Sequence, residues 1–157
     1  MAKVMFVEAE DSPLVWVCAT LSTYSTQKGP NMPLTGLTIL EVDDCEAHNY
    51  ALSRMLENAG AKVLRAATGS EALLQAAKHP NAILLDINLP DINGFEVCQR
   101  LKNDPETASI PVVLITAHHQ YEAAHSHAES IGARTILYYP IEQDQLYAVL
   151  RGEISRS

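Results

Sequence analysis

The chain has 157 residues, 47% of them hydrophobic and 19% charged, with a formal net charge of -8. That is enough chain for one domain with a real core, and the acidic balance argues against a general nucleic-acid or anionic-membrane binder, since both reward a basic surface. Three cysteines, Cys18, Cys45 and Cys98, are odd in number and fit no zinc spacing, so a reducing cytoplasm is expected rather than a disulfide scaffold.

The first 34 residues read as an N-terminal extension. The start, MAKVMFVEAED, turns acidic after a short apolar run and makes a poor signal peptide. No apolar run anywhere reaches the roughly 20 residues of a membrane span. Residues 3–7 and 14–20 are β-prone runs around a turn-like EDSP, and a Ser/Thr/Pro/Gly-rich linker follows. The two runs are expected to form a hairpin that packs on the following domain or on a second copy, giving a homodimer, because an isolated hairpin is marginal in water.

Residues 35–157 read as a single α/β domain. LTILEVDD is a strand ending in Asp43 and Asp44. CEAHNYALSRMLENAG carries Ala47, Tyr50, Ala51, Met55 and Ala59 at a helical period and stops at Gly60. AKVLRAA is a strand, and SEALLQAAK a helix with Ser70 near its start. AILLD is a fully apolar strand that ends on Asp86. GFEVCQRLKND is a helix with Val97, Cys98 and Leu101 inward, and PVVLITA is an apolar strand closed by Thr116. YEAAHSHAESIG is a weaker helix closed by Gly132. RTILYY is a strand, and IEQDQLYAVLRGEI a helix with Leu146, Val149 and Leu150 inward.

Five β–α units in a row imply a parallel sheet covered by helices on both faces. Right-handed crossovers put every strand's C-terminal end on one edge, where such sheets carry their sites. Asp43, Asp44, Asp86 and Thr116 should therefore meet there. Three carboxylates held together repel one another unless a cation offsets them. Hard oxygen donors with an open side suit Mg²⁺, and an aspartate beside it can act as nucleophile toward a phosphoryl group. A threonine one strand away can donate a hydrogen bond to that group, and a lysine from the fifth strand would normally neutralise it.

ILEVDD, LLDINLPDING, VVLITA and GA…YP, in that order on five β–α units, resemble the receiver domain of bacterial two-component response regulators. The resemblance covers residues 37–154. It implies a flavodoxin-like receiver fold, a (βα)5 doubly wound sheet with strand order 2-1-3-4-5. It implies Asp86 as phospho-acceptor, Asp44 as a direct Mg²⁺ ligand, Asp43 as a ligand through water, and the Asn88 backbone carbonyl as a further ligand. Thr116 matches the hydroxyl that moves toward the phosphoryl group, Ala117 the small residue that leaves access, and Pro140 the proline that follows a cis peptide bond. Pro90 and Gly94 shape the loop after Asp86. Two positions depart from the family: Tyr139 stands where the family has lysine, and Ile136 where it has the switch aromatic. Strand alternation lets only one of Tyr138 and Tyr139 point in a substituting direction.

Blander readings apply to other residues. Asp43 and Asp44 also suit a solvated strand end or helix cap. Asp91 reads as a solvated loop residue without a further role. His118, His119, His125 and His127 read as the wet face of a soft helix rather than a metal site, although His118 lies near where the family's hydrolytic water sits. Cys45 reads as packing, and Trp16 as a residue buried in the extension. Three functions follow. The first is a non-enzymatic receiver that accepts a phosphoryl group from a sensor histidine kinase or phosphotransfer protein and switches a downstream protein. The second is a pseudo-receiver used for constitutive docking or dimerisation. The third is an aspartyl-phosphate phosphatase, disfavoured because Asn88 replaces its general acid. No output domain is expected after the last helix, so output would run through the surfaces of this domain.

Overall fold

The strands β3 (Ala82–Asp86) and β4 (Val112–Thr116) are buried at every position. AILLD and VVLIT have no polar alternation to offer solvent, so both belong in the middle of a sheet covered on two faces. The structure, a computed structural model, describes residues 33–117 and 124–156. The expected hairpin, Trp16, Cys18, His118 and His119 lie outside those residues. β1 (Thr38–Val42), β2 (Lys62–Ala66) and β5 (Thr135–Tyr138) complete one parallel sheet in the order β2-β1-β3-β4-β5. β2 exposes Lys62 and Arg65 and lies at an edge, where charged side chains also discourage pairing with another chain.

Successive strand residues point to opposite faces. Leu40, Val42, Ile83, Leu85, Val112 and Leu114 therefore face one layer, made by α2 (Gly69–Ala76), α3 (Gly94–Asn103) and α4 (Ala124–Ser130). Ile39, Leu84, Val113, Ile115 and Leu137 face the other, made by α1 (Glu46–Asn58) and α5 (Gln143–Ile154). Leu34, assigned from sequence to the extension, is fully buried in this second core, and its N–H reaches the Ala59 carbonyl at 2.9 Å.

The inward face of α1 matches the expected one at its end, where Met55 packs on the second core and Ala59 is buried, and differs from it before that. Leu52, Ser53 and Leu56 are buried, whereas Tyr50 is 71% exposed and Ala47 and Ala51 also face solvent. Small and aromatic residues at a helical period mimicked a core stripe. The true face includes a serine because it covers a buried acid. Glu41 of β1 is 1% exposed and accepts a hydrogen bond from the Ser53 hydroxyl, which in turn accepts from Arg65 Nε at 3.0 Å. Glu41 Oε1 has no hydrogen-bond partner among the described residues.

Burial pushes the Glu41 carboxyl up from its ordinary 4.5 to about 7; Ser53 and Arg65 oppose the rise, and Asp43 and Glu57 add to it. A carboxyl raised on folding binds its proton more tightly in the native state, so its stabilisation is complete below pH 4.5 and is lost as the pH rises toward 7. Glu41→Gln, which carries no ionisable proton, should match wild type near pH 4. By pH 8 it should be the more stable protein by about 2 kcal/mol. Denaturant unfolding of both proteins at the two pH values checks this, and a pH-independent gap would contradict it.

The turn after β2 also differs in detail from expectation. Thr68 caps α2 by accepting the Glu71 N–H at 3.1 Å, and the Glu71 carboxylate accepts the Ala67 N–H at 2.8 Å. These bonds leave the Gly69 and Ser70 amides for another acceptor, and Asp91 supplies it. The Ser70 hydroxyl, the Ser70 and Gly69 amides and the Ile92 amide together hold the Asp91 carboxyl well below the usual carboxylate range. Asp91 is thus a cap for a helix far from it in sequence, a correction to its reading as a merely solvated residue.

Candidate functional site

The chemistry sits at the C-terminal edge of the sheet, where parallel strands bring their ends together. Asp43 and Asp44 follow β1, Asp86 and Thr116 end β3 and β4, and Tyr139 follows β5. Asp43, Asp44 and Asp86 each present a carboxylate oxygen within 4.8 Å of the others. Among the described residues this is the only cluster of three or more His, Cys, Asp or Glu side chains with that geometry. His125 and His127 belong to no such cluster. His127 packs edge-on against Phe95, and Tyr138 places its hydroxyl 3.2 Å from His125 Nε2.

The three acids differ in surroundings. Asp44 is exposed, while Asp43 and Asp86 are 2% and 9% exposed. Burial, then the Asp43 charge, pushes the Asp86 carboxyl from 3.8 up to about 6. The Asn88 and Ile87 amides oppose this by hydrogen bonding the carboxylate, and Asp44 adds to it. Asp43 is held on both oxygens: Oδ1 accepts the Cys45 N–H at 2.7 Å, and Oδ2 lies 3.1 Å from His48 Nδ1. Its backbone carbonyl accepts from Asn49 Nδ2 at 2.8 Å. Cys45, read as packing, therefore contributes its backbone amide to the site.

The loop after Asp86 is drawn back against the strand. Gly94 donates its N–H to the Ile87 carbonyl at 2.8 Å, and a Cβ on Gly94 would run into the Asp86 carbonyl. That contact explains why glycine is needed there. Asn88 is exposed on this loop, two residues beyond Asp86. Thr116 is fully buried and pairs across the ladder with Tyr138. The Tyr139–Pro140 peptide bond is cis, as the resemblance implies.

Tyr139 and Tyr138 point to opposite faces. Tyr138 shares the face of Ile136, and Ile136 is buried in the core at the position the family gives to an aromatic. Tyr139 turns to the acid side, with its hydroxyl 3.5 Å from Asp43 Oδ2 and its ring stacked on His48 at 4.0 Å between centroids. Burial, then Asp43, Glu41 and Asp86, push the Tyr139 hydroxyl well above its ordinary 10, so it serves only as a neutral donor. His48 is the site residue that sequence reading missed. The available signal was a histidine in the first turn of the helix that follows the acidic pair.

A five-stranded parallel sheet in this order, with paired acids after β1, an acid ending β3 and a hydroxyl ending β4, defines a receiver domain of the response-regulator class. Residues 39–151 match the model of the response regulator receiver domain family, and the chain belongs to that family. It is 34% identical over 118 residues to protein PilH of Pseudomonas aeruginosa, covering 74% of this chain and 97% of PilH. A response-regulator structure from Chloroflexus aurantiacus superimposes with a TM-score of 0.72 at 34% identity, covering 76% of this chain and 98% of that one. The receiver domain of the Pseudomonas aeruginosa sensor histidine kinase PA1611, solved with a magnesium ion coordinated in its active-site cleft, superimposes with a TM-score of 0.70 over 77% of this chain and 99% of that one. Its 24% identity carries the fold alone.

Proposed function

We propose that the protein is a phospho-accepting receiver. Asp86 takes a phosphoryl group from a sensor histidine kinase or phosphotransfer protein, and the domain signals through protein contacts, in the cytoplasm. The observation that carries this reading is the convergence of three carboxylates, with Asp86 pushed up by burial and by its neighbours' charge. Such a donor set fits a hard divalent cation. Asp43, Asp44, Asp86 and the Asn88 carbonyl would hold Mg²⁺. When bound, Mg²⁺ neutralises charge on the acids and on the incoming phosphoryl group.

Asp86 supplies the nucleophile. A carboxylate oxygen forms the new bond to phosphorus, and the bond to the donor's leaving group breaks with its electron pair going to that group. The Ile87 and Asn88 amides orient the carboxylate. Thr116, at the end of the next strand, offers a hydroxyl to the phosphoryl oxygens. The test is incubation with a phosphoramidate-type small donor and Mg²⁺, followed by intact-mass measurement, and one added phosphoryl group is the expected result. A chain that gains none from any donor instead fits a pseudo-receiver that docks or dimerises constitutively, which Tyr139 at the lysine position favours. Residues 1–34 would then be the first place to look for the docking or homodimer contact. None of the described helices is long and apolar enough to cross a membrane.

The cation reading has its own test. Asp44 raises the Asp86 carboxyl by its charge, so Asp44→Asn should leave the metal-free protein as stable as wild type or slightly more so. It should also erase the rise in melting temperature that Mg²⁺ gives wild type by binding only the native state. A metal-free Asp44→Asn protein that melts far lower would assign Asp44 a structural role instead.

A further inference from the structure

Asp91 lies on the loop that leaves the acceptor strand, and its carboxylate is fully engaged outside the acidic site. Oδ1 accepts the Gly69 N–H at 2.7 Å, while Oδ2 accepts the Ser70 N–H at 2.9 Å and the Ser70 hydroxyl at 2.7 Å. The same turn of α2 is pressed against the loop, since a Cβ on Gly69 would collide with Ile92 and Val97. At its far end the loop is closed by the Gly94 N–H on the Ile87 carbonyl. Asn88 lies between Ile87 and Asp91, the two points of the loop so held, and the Ile87 and Asn88 amides hold the Asp86 carboxylate. The path of the loop therefore sets both the rotamer of Asp86 and the direction of the Asn88 carbonyl.

We infer that Asp91, bonded to Gly69 and Ser70 at the start of α2, is a positioning residue for the phosphoryl-transfer site, acting through the backbone of the loop that carries Asn88 and orients Asp86. The inference rests on the Mg²⁺-dependent receiver reading. Asp91 is exposed, so its loss should lower stability by no more than losing a helix cap does, and the rest of its effect falls on geometry. A site built on a loop keeps its geometry only when the loop is itself anchored, and groups that orient metal ligands govern affinity without touching the ion. An asparagine at this position has one oxygen to accept the amides but directs an NH₂ at a donor, so it restores part of the anchor. Alanine restores none.

The experiment uses the full chain as wild type, Asp91→Asn, Asp91→Ala and Ser70→Ala. Mg²⁺ affinity is measured by calorimetric titration, the labelling rate with a phosphoramidate donor, and the melting temperature without metal. Asp91→Ala should bind Mg²⁺ roughly tenfold more weakly, the lower end for residues that orient ligands. It should label correspondingly slowly at limiting Mg²⁺, with only a small drop in metal-free melting temperature. Asp91→Asn and Ser70→Ala should fall between it and wild type. Saturating Mg²⁺ should recover part of the labelling rate, which a mere loss of folded protein would not allow. Unchanged Mg²⁺ affinity in Asp91→Ala and Ser70→Ala, with wild type binding and labelling normally, overturns the inference alone. Wild type that neither binds Mg²⁺ nor labels overturns the receiver reading beneath it. Should Asp91→Ala fail to fold, Ser70→Ala, which loses only one of the bonds, decides the matter by the same readings.

Discussion

Asp86→Asn is expected to take up no phosphoryl group from a small donor, under conditions where wild type gains one. The three acids are close enough to share a cation, so proximity alone does not select the acceptor. Surroundings do. Asp43, at 2% the least exposed of the three, is crowded on both oxygens by the Cys45 amide, His48 and the Tyr139 hydroxyl, which leaves an incoming phosphorus little room. Asp44 is exposed, so water solvates its carboxylate. Asp86 ends a fully buried strand and is oriented by two amides of its own loop. Burial and the Asp43 charge raise its proton affinity above that of an ordinary aspartate, which makes its carboxylate a more basic nucleophile than a free one. Asparagine keeps the shape and loses the nucleophilic oxygen pair, so the variant should fold. Mass spectrometry after donor treatment decides the point. Full labelling of Asp86→Asn would move the acceptor to another residue.

The second large effect is a gain. Tyr139→Lys should label at least about tenfold faster than wild type, since about 1.4 kcal/mol corresponds to one decade. The Tyr139 hydroxyl reaches only 3.5 Å toward Asp43 Oδ2, and burial and the neighbouring carboxylates keep it neutral. A lysine ammonium on the same strand end would meet Asp43, Asp86 and the arriving phosphoryl oxygens as a cation. Charge-assisted hydrogen bonds are about twice as strong as neutral ones, and bonds to charged groups contribute on the order of 1.5–3 kcal/mol. Most of that gain appears where negative charge is greatest, in the transition state and the phosphorylated product. The full switch would not follow, because Ile136 stays buried where the family places its aromatic. Labelling rates measured side by side with one donor provide the check. Equal rates would mean that the site already supplies what the lysine would, and would overturn this account of Tyr139.

Much of this was legible from local pattern. Alternation and helical period are read over a few neighbouring residues, and they placed all five strands. Crossover handedness then requires Asp43, Asp44, Asp86 and Thr116 to share one edge. On α1 two stripes of the helix satisfy a period near 3.6, and the one that is buried is interrupted by Ser53. The partner that selects the right stripe, Glu41, sits on a neighbouring strand 12 residues from Ser53.

By itself, then, the sequence determined the order and type of the elements and which acids end the strands, because those depend on spacing along the chain. The tertiary structure alone decided how the site is held. The anchor from Asp91 to Ser70 spans 21 residues, and the approach of Tyr139 to Asp43 spans 96. Contacts at such separations leave no periodicity to read. They arise only when the sheet has brought strand ends, loop and helix terminus within hydrogen-bonding distance, and their geometry depends on side-chain directions that a spacing rule does not contain.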